Sequence, residues 1–337
     1  SMSKRVIVTG GNGFIGSNFI KLLLNETEYS VVNLDARTYA GQGRNIEHMG
    51  LDKNPKYRFV LGDIRDSELL SNLIEKDDII VHFAAESHVD RSIEDNAARL
   101  FLDNNARGTI VLLEEAVRKG IERFVQVSTD EVYGGINIED EKKFNEDGRV
   151  RTGNPYSASK AASEDFALAF WNTEKVPVVI TRSSNNFGPY QFPEKYIPVS
   201  VINLLEGGKI PIYGKGMNER DWIYVDDNCR AILTVMEKGK NGEVYNIAGR
   251  NLFSNIDLAC EISDLMRLSH GVNEGKYYEF VEDRKGHDIK YSIDDSKIRK
   301  ELGWQPEIKF YDGLKKTIEW YKNNRDWWEK LLSRENG

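Results

Sequence analysis

The chain has 337 residues, 40% hydrophobic and 30% charged, with a net charge of −8. That length suits one large or two modest domains, and the balance excludes disorder. The acidity argues against general affinity for nucleic acid or an anionic membrane, while a few local arginines can still receive an anionic small ligand.

"KRVIVTG" is a short apolar run stopped by glycine and predicts a first buried strand. "FIGSNFIKLLLNE" follows with helical periodicity. "YSVVNLD", "YRFVLGD" and "DIIVHFAA" predict further strands, each ending in a small or acidic residue. Helical patterns at 66–75, 95–119 and 154–175 alternate with strands, including 123–128 and "PVVITR". Such alternation implies a parallel sheet covered on both faces, a Rossmann-type doubly wound α/β fold. From about Asn186 the rhythm breaks and the chain becomes richer in Pro, Gly and aromatic residues. We expect residues 2–185 to form a dinucleotide-binding domain, rejoined by about 222–248 through "WIYVDDNCRAILTVME". Residues 186–221 and 249–330 are expected to form a smaller, discontinuous substrate-binding region. The tail "TIEWYKNNRDWWEKLL" reads as helical, its tryptophans as packing residues. Cys229 and Cys260 are the only cysteines. Neither has metal-ligand neighbours, so no disulfide framework and no metal site is expected, which fits a reducing cytoplasm. No apolar run reaches membrane-spanning length.

"TGGNGFIGS" places Gly10, Gly13 and Gly16 between the first strand and the first helix. Glycine allows a tight turn and close backbone approach, and the helix start offers free N–H groups to a pyrophosphate. Asp35 ends the second strand, 19 residues after Gly16. An acid there binds ribose hydroxyls and repels a 2′-phosphate, which favours NAD over NADP. Arg37, close by, is a group that can accommodate that phosphate. Asp63 is a candidate partner for the adenine edge.

"GNPYSASK" sets Tyr156 and Lys160 four residues apart on one helix face, with Asn154 as N-cap and Pro155 at the first helical position. A nearby ammonium and the helix dipole both stabilise a phenolate, which makes Tyr156 a candidate base for a substrate hydroxyl while carbon gives hydride to NAD. Between these motifs lies "VSTDEVYGG", where Asp130 and Glu131 stand side by side at the predicted end of a buried strand. On a strand they would face opposite ways. Both face one substrate only if the backbone leaves strand geometry after Thr129.

With "GGNGFIGS", "AAESHVDRSI", "STDEVYG", "YSASK", "RSSNNFGPYQFPEKYIP", "ERDWIYVDD" and "DRKGHD", the chain resembles the extended short-chain dehydrogenase/reductase family, which acts on nucleotide sugars. Within it, "STDEVYG" resembles the 4,6-dehydratases of dTDP-glucose: sugar-nucleotide epimerases lack the two acids, and decarboxylases keep only the glutamate. Small departures are "LDARTYAGQ", without the usual leucine before the threonine, and "NNFGPYQ", with phenylalanine for tyrosine. The resemblance implies C4 oxidation of the hexose, loss of water across C5 and C6, and hydride return to C6. It implies Glu131 as the base at C5, Asp130 as the acid at the C6 hydroxyl, and Thr129 beside Tyr156 at the C4 oxygen. Two adjacent acids suit a step needing one ionised and one protonated carboxyl, because each charge disfavours the other.

The resemblance also implies that NAD is held by Gly10, Gly13, Phe14, Ile15, Gly16, Asp35 and Thr38. Asp63, Ile64, Ala84, Ala85, Asn104, Tyr156, Lys160 and Asn186 complete that set. The doubly anionic nucleotide sugar needs local positive charge, for which Arg220 and Arg284 are the candidates. Ser87, Thr129, Asn185, Lys195, Tyr196, Pro211, Tyr213, Asn251 and His287 are implied as further substrate contacts. His82 reads as a core residue. His88 in "HVDRS" fits either a helix-start turn or the site, and His48 and His270 have no evident role. A homodimer is expected through the helices at 95–119 and 154–175, whose apolar positions fill more than one face. Alternatives are another nucleotide-sugar dehydratase, a 4-epimerase or a decarboxylase of this fold, or a non-catalytic NAD-binding regulator. The acid pair argues against epimerase and decarboxylase, and the intact Tyr156, Lys160, Asp130 and Glu131 against the regulator. Deoxysugar biosynthesis follows from the chemistry, with dTDP-rhamnose one possible destination.

Overall fold

The computed structural model describes residues 4–36, 44–83, 97–270, 276–283 and 289–335. Among them, β1 (Arg5–Thr9), β2 (Ser30–Asp35), β3 (Tyr57–Leu61), β4 (Ile79–His82), β5 (Arg123–Thr129), β6 (Val178–Ser183) and β10 (Val244–Ile247) form one sheet. Its order is β10-β6-β5-β4-β1-β2-β3 and every pairing is parallel. Parallel strands are covered on both faces and so need apolar side chains on both. The registers meet that need: Val6 and Val8 face one hydrophobic core while Ile7, between them, faces another. All of β4 and β6 is buried.

On the first face lie α1 (Phe14–Glu26) and α8 (Val225–Lys238), packed on one another through residues such as Ile20, Leu23 and Val235. The second face is covered by α3 (Ser67–Leu73), α5 (Gly108–Lys119) and α6 (Pro155–Glu174), with Leu70, Leu112, Leu113 and Ala167 in the core. Ahead of α5, α4 (Ala97–Phe101) passes into a π-helical stretch at Leu102–Arg107. Such widened turns in helices cluster at functional sites.

Outside the main sheet, β7 (Asn185–Phe187), β9 (Glu219–Tyr224) and β11 (Leu252–Ser254) form a three-stranded sheet, and β8 (Ile210–Tyr213) pairs with β12 (Tyr278–Val281). The short α2 (Asn45–His48) precedes β3, while α7 (Tyr196–Leu205), α9 (Asn255–His270) and α10 (Ser296–Leu302) surround the small sheets. The aromatic tail is two helices, α11 (Phe310–Asn323) and α12 (Arg325–Glu335), broken at Asn324. The break lets Trp327 turn back onto Trp320 and Tyr190, with ring centroids 5.1 and 5.5 Å away, and donate to Asn45 Oδ1 at 3.0 Å. These tryptophans pack, as expected. Among the described residues no helix is long and apolar enough to cross a membrane.

Candidate active site

The carboxyl ends of β1, β2, β4, β5 and β6 open on one edge of the sheet, where ligands bind in doubly wound folds. After β1 the chain turns through Gly10, which has φ of 69°. A Cβ on Gly16 would stand 2.4 Å from the Gly10 carbonyl oxygen, so helix and loop can pack this closely only with glycine there. Gly13 occupies the N-cap of α1 with no side chain capping the helix start. The first N–H groups of α1 are thus available to an anion. Asp35 Oδ2 accepts from the Asn12 amide at 2.9 Å, which ties the loop to the end of β2. Among the described residues, the buried Nδ2 of Asn12 has no partner. A glycine cradle, an open helix start, an orphaned amide and an acid at the end of β2 fit an NAD pyrophosphate and ribose. Phe14 is buried in the core, so only its backbone can serve the loop. Asp63 is engaged by the Arg65 guanidinium, at 2.6 Å from Nη2, which lowers its pKa. Ile64 follows it at the rim, partly buried.

β5 ends at Thr129, and Asp130–Tyr133 form a single 3₁₀ turn rather than more strand. The Thr129 hydroxyl starts that turn by accepting from the Glu131 amide at 3.2 Å. This is the departure from strand geometry that the two adjacent acids require. Their environments then differ. Asp130 is only 1% exposed, and among the described residues neither of its carboxyl oxygens has a hydrogen-bond partner. Burial pushes its pKa well above the ordinary carboxylate range, and the charges of Glu131 and Asp221 push it further, with Arg220 and the neighbouring Thr129 side chain opposing. Glu131 is half-buried.

α6 presents Tyr156 and Lys160 beside this turn. Asn154 caps the helix by accepting from the Ser157 amide at 2.9 Å, with Pro155 at its first position. Lys160 is 3% exposed and donates from Nζ to the Val127 carbonyl at 2.8 Å. Burial lowers its pKa to about 8, with Glu164 opposing. Tyr156 is half-buried, its ring edge-on to Phe101 at 5.5 Å. The π turn containing Asn104 is tied to the same helix start: Asn105 Nδ2 donates to Ser159 Oγ at 3.0 Å, which donates to the Tyr156 carbonyl at 2.7 Å. His82 is a core residue as predicted, held between the hydroxyls of Thr9 and Thr109, and burial drops its pKa to about 3.

The small sheets face this edge through β7 and β9. Asn185 and Asn186 lie on β7, paired with Trp222 and Ile223. Asn186 donates from Nδ2 to Ser183 Oγ and the Ser184 carbonyl, at 3.3 and 3.1 Å. Lys195 is the N-cap of α7, and Pro211 and Tyr213 lie on β8. Arg220 stacks its guanidinium 4.5 Å from the Tyr291 ring centroid and donates to the Glu219 carbonyl at 2.9 Å. Two of the expected substrate contacts are already engaged by backbone. The Tyr196 hydroxyl donates to the Asn255 carbonyl at 2.5 Å, and Asn251 Nδ2 donates to the Trp222 and Gly249 carbonyls at 3.0 and 3.1 Å. Both shape the loops around the site. Arg37, Thr38, Ala84, Ala85, Ser87, His88, Arg284 and His287 lie outside the described residues.

Sequence reading missed Asp221, a further buried carboxyl, whose oxygens accept from the Gly249 and Asn251 amides at 2.9 and 2.6 Å. Its position beside Arg220 was the available signal. Glu164 was missed too, although it lies four residues beyond Lys160 and therefore on the same face of α6.

Residues 7–317 match the family described as GDP-mannose 4,6 dehydratase. The chain is 46% identical over 334 residues to a dTDP-glucose 4,6-dehydratase of Streptomyces niveus, covering 98% of this chain and 96% of that one. It is 43% identical to a dTDP-glucose 4,6-dehydratase of Escherichia coli, covering 97% and 96%. Among solved structures it is similar to DesIV, a dTDP-glucose 4,6-dehydratase of Streptomyces venezuelae with NAD bound. There the TM-score is 0.89 and the identity 46%, covering 97% of this chain and 99% of that one. A UDP-glucuronic acid 4-epimerase of Bacillus cereus shares the fold at a TM-score of 0.85 and 28% identity, covering 95% and 99%.

Proposed function

The chain belongs to the GDP-mannose 4,6 dehydratase family, and we propose that it dehydrates dTDP-glucose to dTDP-4-dehydro-6-deoxyglucose with NAD. The observation that carries this reading is the turn after Thr129. It sets a buried acid of raised pKa, without a hydrogen-bond partner among the described residues, next to a half-buried one, beside the tyrosine–lysine helix. An epimerase needs only the tyrosine–lysine half. The relatives named for dTDP-glucose support the choice of nucleotide.

Held by the Gly10–Gly16 loop and Asp35, NAD would supply the hydride acceptor for C4 of the sugar and the hydride donor for C6. Tyr156 takes the proton of the C4 hydroxyl, with Lys160 favouring its phenolate and Thr129 hydrogen-bonding the C4 oxygen. The resulting ketone acidifies C5–H. Glu131, the half-buried acid of the pair, removes that proton. Asp130, kept protonated by burial and by neighbouring negative charge, gives its proton to the departing C6 hydroxyl. The C5–H and C6–O bonds break and water leaves. Glu131 then returns a proton to C5 as hydride reaches C6. Tyr156 has gained a proton and Asp130 has lost one, and exchange with solvent resets both. Binding of the diphosphate falls to Arg220 and Arg284, and residues 186–221 with 249–330 serve as the substrate-binding region.

A cytoplasmic homodimer completes the proposal. Leu100, Leu102 and Phe166 support it, being 55%, 58% and 42% exposed on the helices expected to pair. Supply of a deoxysugar route such as dTDP-rhamnose formation fits the product. Incubation of the protein with dTDP-glucose tests the activity. A product with the alkaline ultraviolet absorbance of a 4-keto-6-deoxy sugar is expected, and recovery of unchanged or 4-epimerised substrate contradicts the reading.

A further inference from the structure

Behind the acid pair runs a buried polar chain that no step of the reaction uses. Ser128 Oγ donates to Glu164 Oε2 at 2.7 Å. Arg182 donates from Nε to Glu164 Oε1 at 2.7 Å, with Nη2 also 2.7 Å away, and from Nη1 to the Tyr133 hydroxyl at 2.8 Å. That hydroxyl donates to Asn246 Oδ1 at 2.7 Å. Asn246 Nδ2 donates in turn to the Phe144 and Asp294 carbonyls, each at 3.0 Å. All five side chains are buried. The contrast with Asp130 is informative: a few residues away, a buried carboxyl has no hydrogen-bond partner among the described residues, while this chain is hydrogen-bonded at every link.

The connectivity says what the chain holds. Ser128 precedes Thr129, Asp130 and Glu131, and Tyr133 follows them, so the reactive turn is gripped on both sides. Glu164 lies one helical turn beyond Lys160 on α6. Arg182 on β6 joins the two grips. A buried ion pair adds little net stability over apolar packing, but a fully satisfied network fixes geometry. Geometry matters here because the substrate carbon held at Tyr156 is not the carbon that loses its proton or its hydroxyl. The redox pair and the acid pair must both reach one sugar ring. A misplacement of about 1 Å costs roughly 10²-fold in rate.

We infer that Glu164, Arg182 and Tyr133 are positioning residues that lock the turn bearing Asp130 and Glu131 to the helix bearing Tyr156 and Lys160, setting the spacing between oxidation and elimination. This rests on the dehydratase reading. Its signature is selective: loosening the turn side slows elimination far more than C4 oxidation, in which the turn takes part only through Thr129 while Tyr156 and Lys160 stay on α6.

The test is Tyr133→Phe, which keeps the ring stacked on Phe144 at 5.3 Å and removes both hydroxyl hydrogen bonds. C4 oxidation is read from the near-ultraviolet absorbance of reduced NAD in a single turnover. Elimination is read from deuterium exchange at C5 and from product formation. We expect oxidation within about twofold of wild type, and exchange and product formation slowed about tenfold or more. Ser128→Ala cuts the other grip and decides the matter in the same way should Tyr133→Phe fail to fold. Equal losses in both half-reactions, or no loss in either, overturn the inference. Wild-type protein run alongside separates the two claims. If it performs neither half-reaction, the proposed activity fails; if it performs both while the variants lose them in parallel, only the positioning role fails.

Discussion

Replacing Asp130 by Asn should make the protein more stable and much less active, and the stability gain should depend on pH. The side chain is 1% exposed and its carboxyl oxygens have no hydrogen-bond partner among the described residues. In the unfolded chain its pKa is about 3.9, while burial and the charges of Glu131 and Asp221 raise it well above that when folded. Below the unfolded value both states are protonated and the carboxyl carries no ionisation penalty. As pH rises, the unfolded state releases its proton first, so stability declines until pH passes the folded value. Asparagine has no such slope. Asparagine leaves buried polar atoms in the same place, so the gain is the lost ionisation penalty alone: about 1.4 kcal/mol for each unit by which pH exceeds the unfolded value, up to the folded value, each kcal/mol raising Tm by about 1.5 °C. The difference should vanish near about pH 4. Turnover should fall by about 10²–10⁴ on losing a general acid, equivalent to roughly 2.7–5.5 kcal/mol of barrier. Melting curves at about pH 8 and about pH 4, with product assays on the same samples, measure both. A variant that melts lower than wild type at the higher pH, or that gains equally at both, refutes the claim that the buried carboxyl is costly to ionise. A loss of activity under about tenfold refutes its role as the acid.

Deuterium wash-in separates the two acids. Label should enter C5 with Asp130→Asn, because Glu131 remains, and should not enter with Glu131→Gln; reversed behaviour means the assignment is reversed. Gly16→Ala puts a methyl 2.4 Å from the Gly10 carbonyl oxygen, so the loop must shift. NAD affinity measured by calorimetry should then drop at least about tenfold, or ~1.4 kcal/mol. For the dimer, light scattering at micromolar protein should give twice the chain mass, and Phe166→Glu should shift it towards the monomer; a monomeric wild type removes that proposal.

The sheet was legible because parallel strands buried on both faces leave uninterrupted apolar runs, as in "RVIVT" and "VVIT". The start of α6 was legible because its cap is local, with Asn154, Pro155 and Ser157 next to one another. The turn at Asp130–Tyr133 was inferred from a chemical need, since its anchors lie far along the chain: Arg182 is 49 residues from Tyr133, and Asn246 is 113. Long-range bonds of this kind leave no periodic trace. The π turn at Leu102–Arg107 sits inside a helical pattern, and one extra residue in a turn does not disturb the apolar spacing enough to be read. The break at Asn324 was hidden for a similar reason, because Trp327 is placed by packing on Tyr190 and Trp320 rather than by its sequence neighbours. Asp221 went unread because it holds backbone amides of the loop at 249–251, contacts that local sequence does not show.

The central claim is that hydride leaves C4 and returns to C6 of one sugar, with the base and the acid working in between. dTDP-glucose carrying deuterium at C4, converted by the protein with catalytic NAD, tests it directly. The account predicts that the product carries that deuterium at C6, with solvent hydrogen at C5 and no net accumulation of reduced NAD. Deuterium retained at C4, or released into a pool of free reduced NAD, contradicts it.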